Sequence, residues 1–195
     1  MQSKAENARE LLTDAAIRTA RLSLVPPLVE HAPVLYPLLN DWDVLKNLSE
    51  VPWPLRYEDV ANFLASMPNT SADDFVLFSE DSPIGVVAVK KPGSGDPPRK
   101  MPRLGYWIGK RYWGRGYGTE AIGALVDYAF RTYSNERVGA GIFHDNPASR
   151  RVLEKLGFSA VGAKTAISRS RDGEVATIDM QITRAEWAYT KARRR

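Results

Sequence analysis

Residues 112–121 read YWGRGYGTEA, with Gly114, Gly116 and Gly118 on alternate positions and Arg115 between the first two. Glycine reaches positive φ and lets another group come close to the backbone. Placed ahead of a helical stretch, such residues can gather N–H groups that the helix leaves unpaired, at the end where its dipole favours negative charge. The chemistry on offer is anion binding, a phosphate above all; a tight strand-to-helix turn that binds nothing explains the spacing equally well. Two phosphate-binding designs fail on the residues. A P-loop needs Lys-Ser/Thr after its last glycine, and Gly118 is followed by Thr119-Glu120. A dinucleotide fingerprint, G-x-G-x-x-G, would need glycine at Thr119 or Ala121 and an acid ending the next strand, whereas Glu136 precedes that strand.

Other reactive side chains are scarce. The 195 residues include no cysteine and only two histidines, His31 and His144, so thiol nucleophiles are excluded and no metal site is expected. The net charge is +4, and Lys191, Arg193, Arg194 and Arg195 in the terminal KARRR supply four positives. The body is therefore neutral, which speaks against a dedicated nucleic-acid binder. The tail of about 191–195 reads as a solvated, frayed end. Hydrophobic residues make up 44% and charged residues 26%, as in a soluble globule. No apolar run approaches the ~18 residues of a membrane span, and MQSKAENARELLTDAA lacks the apolar centre of a signal peptide. The expectation is one cytoplasmic domain over 1–195, with an N-terminal extension of about 1–16.

The elements that must position the glycine turn can be read along the chain. Beyond a short N-terminal helical stretch, Ile17–Val25 reads as a strand ending at Pro26-Pro27, and 28–39 and 57–67 carry helical spacing, the second with Val60, Phe63, Leu64 and Met67 on one side. The stretch between them, NDWDVLKNLSEVPWPL, reads as irregular; Trp42 and Trp53 could line a pocket there or plug the core. DFVLFS and IGVVAV around EDSP read as a hairpin, and KKPGSGDPPRKMP as a basic loop. Residues 103–108 form a strand that feeds the glycine turn, and Ile122, Leu125, Val126, Ala129 and Tyr133 make one buried helical face after it. Residues 137–143 are a buried strand, Asn146-Pro147 opens a helix that Gly157 closes, and 158–168 and 175–183 make a last hairpin before a terminal helix. Helix-joined strands pair parallel and turn-joined strands antiparallel, so the sheet is mixed.

Taken together, LGYWIGKRYWGRGYGTEAIGALVDYAF and DNPASRRVLEKLGFSAVG, spanning Leu104 to Gly162, resemble the GNAT superfamily of acetyl-CoA-dependent N-acetyltransferases. The branch most similar contains the Rim-type acetyltransferases of ribosomal-protein N-termini. The resemblance implies an α/β (α+β) fold: a mixed, mostly antiparallel sheet of about seven strands, with a splayed parallel pair and flanking helices. It implies acetyl-CoA entering a V between strands 103–108 and 137–143, against Trp107 and Ile108. The pyrophosphate would lie on the N–H groups of Gly114, Arg115, Gly116, Tyr117, Gly118 and Thr119, with Arg115 adding charge. Trp113 stands where the family often has Gln or Arg, a departure that recurs in the Rim-like branch and removes a side-chain phosphate contact. The family meets the oxyanion with a backbone N–H of the splayed strand, here Trp107 or Ile108, with Ile108 preferred. Its usual tyrosine, seven residues beyond Asn146, is Leu153, which leaves Ser149 as proton donor to the CoA thiolate and Asn146 on the pantetheine amides. Read by themselves, Asn146 is an ordinary N-cap and Ser149 an ordinary first-turn residue.

No general base stands out. RVGAGIF has no acid, and His144, Asp145, Glu50, Asp43 and Asp41 are the nearest candidates, each readable as a surface or capping residue. An α-amine titrates near ~8 and a lysine near ~10.4, so a site without a base suits an α-amine or a water-relayed transfer. The implied acceptor is a primary amine, on a protein N-terminus or a small molecule, attacking directly in a ternary complex. A non-catalytic acyl-CoA sensor and an RNA-associated protein acting through KARRR are the competing expectations. Dimers are common among relatives.

Overall fold

The computed structural model describes residues 17–67, 72–95 and 98–194; the N-terminal helical stretch and Arg195 lie outside them. Eight strands form one sheet: β1 (Ile17–Arg18), β2 (Leu22–Val25), β3 (Ala72–Ser79), β4 (Ser82–Lys90), β5 (Arg103–Ile108), β6 (Arg137–Phe143), β7 (Ser159–Ser168) and β8 (Gly173–Thr183). Their spatial order is β1-β2-β3-β4-β5-β6-β8-β7, and every pair is antiparallel except β5 and β6. The helices are α1 (Ala32–Leu39), α2 (Trp42–Leu45), α3 (Tyr57–Ser66), α4 (Tyr117–Thr132), α5 (Pro147–Lys155) and α6 (Arg184–Ala192).

Helices cover both faces, which is why β3 and β4 are apolar on successive residues rather than alternate ones. On the first face, Ile122, Leu125, Val126 and Ala129 of α4 pack with Leu77, Val87, Leu104, Val138 and Met180. On the second, Leu35, Leu38, Val60, Leu64 and Met67 of α1, α3 and the residue after it pack with Val76, Phe78, Val86 and Trp107. Each fully buried aliphatic side chain contributes about 1.5–3 kcal/mol, so these two stripes fix the helices on the sheet. On the second face the helices cover only the β2–β5 end of the sheet.

Four expectations need correction. The stretch Ile17–Val25 is a two-stranded hairpin, because Thr19 closes a turn on Leu22: its N–H donates to the Leu22 carbonyl (2.9 Å) and its Oγ1 accepts the Leu22 N–H (3.0 Å). This raises the strand count to eight. Phe63 is 45% exposed, with Val60, Leu64 and Met67 alone buried from that group. Trp42 and Trp53 neither plug the core nor line the cleft described below; they stack edge-to-face on each other at 5.4 Å, Trp42 within the short helix α2. The basic tail is tied down in part: Lys191 pairs with Asp127 at 2.8 Å, and Arg194 donates to the Lys155 carbonyl.

His31 is buried beside Phe78, accepts the Leu28 N–H at Nδ1 (3.1 Å) and leaves Nε2 without a hydrogen-bond partner. Burial pushes its pKa below 6.5, outweighing the carboxylate of Glu30. The unfolded chain therefore takes up this proton before the folded one does. Stability is complete above pH 6.5 and falls as pH drops through the folded value. Melting temperatures measured from pH 8 to 5 should decline, and His31→Leu should flatten that slope even if it lowers the whole curve.

Candidate active site

The three glycines serve different ends. Gly114 and Gly116 have φ of 76° and 81°, the left-handed region that side chains avoid, whereas Gly118 lies within α4. A Cβ on Gly118 would meet Val152 at 3.4 Å and Tyr106 at 3.8 Å, ordinary contact distances, so α4 packs onto α5 and β5 here without requiring a glycine. Gly116 is the N-cap and offers no side-chain acceptor; the N–H of Glu120 reaches its carbonyl (3.1 Å). The N–H groups of Tyr117, Gly118 and Thr119 consequently begin the helix without a helical acceptor. A second device clamps the turn from outside. Glu120 takes bonds from Thr19 Oγ1 (2.6 Å), from the Arg21 N–H (2.8 Å) and from Arg21 Nε (2.8 Å), while Arg21 Nη1 donates to the Arg115 carbonyl (2.9 Å). Burial pushes the Glu120 pKa up, yet these bonds hold it below the usual carboxylate value.

Strands β5 and β6 pair at only two positions, Arg103↔Gly139 and Leu104↔Ala140, and then part. Each is held on its far side instead: Ile108 lies opposite Gly85 in β4 and Phe143 opposite Thr177 in β8. Gly85 permits this, since a Cβ there would sit 2.2 Å from the Trp107 carbonyl oxygen. The Gly109 N–H bonds Ile84 in β4. By strand alternation, Tyr106 and Ile108 turn their N–H groups to the gap. The Ile108 carbonyl on the same side accepts the Trp113 indole N–H at 2.7 Å, which uses the only polar atom of that side chain. Across the gap, Asn146 Oδ1 caps α5 by accepting the Ser149 N–H (3.0 Å), and Ser149 Oγ lies 2.9 Å from Tyr106 Oη. Tyr106 had no role in the sequence reading. Only its place on the splayed strand could have flagged it.

The gap opens into a cleft of about 1710 Å³ that reaches both faces of the sheet. Trp107, Ile108, Trp113, Gly114, Gly116, Tyr117, Gly118, Thr119, Asn146 and Ser149 all line it. Arg115 does not: its guanidinium lies 5.8 Å from the Tyr112 ring, and its carbonyl is the group the turn presents to Arg21. On the second face the floor is small, with Ala88, Gly105, Gly141 and Ala166. A Cβ on Gly105 would meet nothing within 4 Å, so neither packing nor backbone strain demands a glycine there.

A strap, residues 46–52, crosses this floor. Its start is anchored near the end of β5, where Asp43 pairs with Lys110 (2.7 Å). Its far end meets the β7–β8 turn, where the Arg169 N–H donates to the Ser49 carbonyl (2.9 Å), and Glu50 pairs with Lys90 of β4 (2.6 Å). Arg171 joins the strap to the other half of the cleft: Nε donates to the Lys46 carbonyl (2.7 Å), Nη1 pairs with Asp145 (2.6 Å), and the guanidinium lies 5.0 Å from the Phe143 ring centre. Asp145 immediately precedes Asn146. The candidate bases are thereby accounted for. Hydrogen bonds from Lys110 and Lys46 hold Asp43 at about 2, and Arg171 holds Asp145 below the usual carboxylate value. Asp41 caps α2 through the Asp43 N–H, Glu50 is in its ion pair, and His144 is exposed, outside the lining. Among the described residues, no three His, Cys, Asp or Glu side chains converge as a metal would need, and no helix is long and apolar enough to cross a membrane.

The site is thus a sheet opened between two parallel strands, with unpaired helix N–H groups at the end of one of them and an open floor beside it. Residues 21–159 match the acetyltransferase (GNAT) domain, and the chain belongs to that family, whose acyl donor is acetyl-CoA. It is 24% identical over 179 residues to an uncharacterised N-acetyltransferase, p20, of Bacillus licheniformis, covering 87% of this chain and 97% of the relative. A shorter match, 30% identical over 88 residues, joins 45% of this chain to 48% of the ribosomal-protein-serine acetyltransferase of Escherichia coli K12, in agreement with the Rim-like branch. Among solved structures, the microcin C7 self-immunity acetyltransferase MccE, in complex with acetyl-CoA and AMP, superposes with a TM-score of 0.73 at 20% identity, over 89% of this chain and 99% of that one. That likeness carries the fold.

Proposed function

We propose that the protein acetylates a primary α-amine, at the end of a polypeptide, by direct attack on acetyl-CoA in a ternary complex. The observation that carries this reading is the splay of β5 from β6, with the glycine turn on one side of the opening and the Gly105 floor on the other. The pyrophosphate rests on the N–H groups from Gly114 to Thr119, the pantetheine runs in the gap beside Asn146, and the thioester carbonyl meets the Ile108 N–H. The amine enters from the floor. Its lone pair attacks the carbonyl carbon, the oxyanion is held by the backbone donor, and the C–S bond breaks as Ser149 gives its proton to sulfur. The α-amine is favoured because the carboxylates proposed as bases are committed to cations or helix starts, and a lysine amine would need roughly 4 kcal/mol to lose its proton at neutral pH. Placement in the cytoplasm follows from this use of acetyl-CoA and belongs to the same proposal.

Calorimetry with acetyl-CoA, CoA, ATP and NAD tests the carrier half, and binding should be confined to the two CoA compounds. Short peptides with a free α-amine, set against Nα-blocked peptides bearing a lysine, test the acceptor half. Acetylation should appear on the α-amine and rise with pH towards ~8. Acetyl-CoA binding with acetylation only at lysine Nζ would overturn the acceptor reading, and tight binding with no acetylated amine would turn the molecule into a CoA sensor.

A further inference from the structure

Tyr106 and Ser149 are the two hydroxyl groups that meet across the splay, and the reading above employs one of them. We propose that Tyr106 is a positioning residue that fixes the direction of the Ser149 hydroxyl: its phenol donates to Oγ, which turns the proton of Ser149 towards the sulfur of the departing thiolate. The inference rests on Ser149 as the proton donor.

Both members are held by rigid elements. Tyr106 sits on β5 with its ring packed against the α4 side of the core, and the start of α4 at Gly118 lies against that ring. Ser149 is fixed in the first turn of α5 through its own N–H on Asn146 Oδ1. The 2.9 Å separation of Oη and Oγ is a full hydrogen bond. A serine hydroxyl has one proton; given to Tyr106 it would not be available to sulfur. The phenol is the stronger acid of the two and hence the better donor. Burial outweighs the bond from Ser149 and pushes its pKa up to about 12, so it keeps its proton throughout the working range. With Oγ accepting from the phenol, the serine proton is left to point into the cleft that both residues line.

The proton balance closes. The electron pair of the C–S bond goes to sulfur, sulfur takes the Ser149 proton, and the Tyr106 hydrogen bond supports the charge left on Oγ. The proton shed by the amine as the amide forms returns to Oγ through cleft water. The net transfer is one proton, from nitrogen to sulfur.

A double-mutant cycle on the α-amine peptide that reacts best separates this role from a structural one. Tyr106→Phe keeps the ring; kcat should fall about tenfold, while the acetyl-CoA Kd measured by calorimetry stays within twofold. Ser149→Ala should be slower, and the double variant no slower than Ser149→Ala alone, because without the Ser149 hydroxyl the phenol has nothing left to direct. Losses that multiply in the double variant, or a Tyr106→Phe kcat within twofold of wild type beside a slow Ser149→Ala, would overturn this inference and leave the function standing. A Ser149→Ala kcat within twofold would bring down the proton-donor reading and this inference together. Thermal unfolding of each variant identifies any loss caused by misfolding, and Tyr106→Trp, which keeps bulk without the phenol, repeats the comparison in that event.

Discussion

Replacement of Ser149 by alanine should lower kcat about a hundredfold and leave acetyl-CoA binding unchanged. A positioned general acid contributes about 10²–10⁴ in rate, and a weakly acidic hydroxyl belongs at the lower end. The substitution is structurally mild. The bond from the Ser149 N–H to Asn146 Oδ1 runs through the backbone and survives, so the start of α5 keeps its cap. The lost partner is Tyr106 Oη, left half-buried without its bond at a cost of about 1–3 kcal/mol in stability. Steady-state kinetics with saturating acetyl-CoA, alongside calorimetry on the variant, would separate the two effects. A kcat reduced less than threefold would mean that water protonates the thiolate.

Gly116→Val should do the reverse, weakening acetyl-CoA binding at least tenfold, about 1.4 kcal/mol, before any effect on chemistry. At φ 81° a branched side chain costs about 1–2 kcal/mol of backbone strain, and its Cβ would approach Arg21 Nη2 to 3.3 Å. The turn relieves that strain by rotating its N–H groups out of convergence. Gly118→Ala is the informative control. Its φ is helical and its Cβ meets only ordinary contacts from 3.4 Å outward, so the α4 start keeps its form and binding should change by less than threefold. Calorimetry on both variants decides the matter. Equal losses would show that the site excludes any side chain along the turn, and no loss at Gly116 would remove the pyrophosphate from it.

The glycine turn and the Asn146–Ser149 helix start were legible in the sequence because they are local. Glycines at 114, 116 and 118 ahead of a helix, and Asn146 three residues before Ser149, are contiguous patterns whose geometry follows from their spacing. The same logic gave seven of the eight strands. It failed at Ile17–Val25, where Ala20 and Arg21 carry no turn signal. The Thr19–Leu22 bonds that close the hairpin are reinforced by Glu120, about a hundred residues away, which no reading of a window could supply. Arg115 shows the same limit: its charge was visible in the sequence but its direction was not, and the contact it makes with Arg21 is through its carbonyl. Tyr106 looked like one more apolar strand residue until α5 brought Ser149 to it. The floor of the cleft stayed hidden because it is assembled from the strap, the β7–β8 turn and the bare strands, which meet only in the folded molecule.

That division bears on how such a protein can diverge. On the proposed reading, the carrier half is written by one continuous stretch of chain, whereas the acceptor half is written mainly by residues 46–66 and 164–177, remote from it in sequence. Changes in the strap can accumulate without disturbing the glycine turn, so a lineage can exchange one acceptor for another while keeping its acyl donor. Arg171 and the Asp43–Lys110 pair are the exceptions: Arg171 touches Lys46 on one side and Asp145 on the other, and Lys110, just before the glycine turn, holds the start of the strap. At these contacts a change on one side of the cleft is felt by the other.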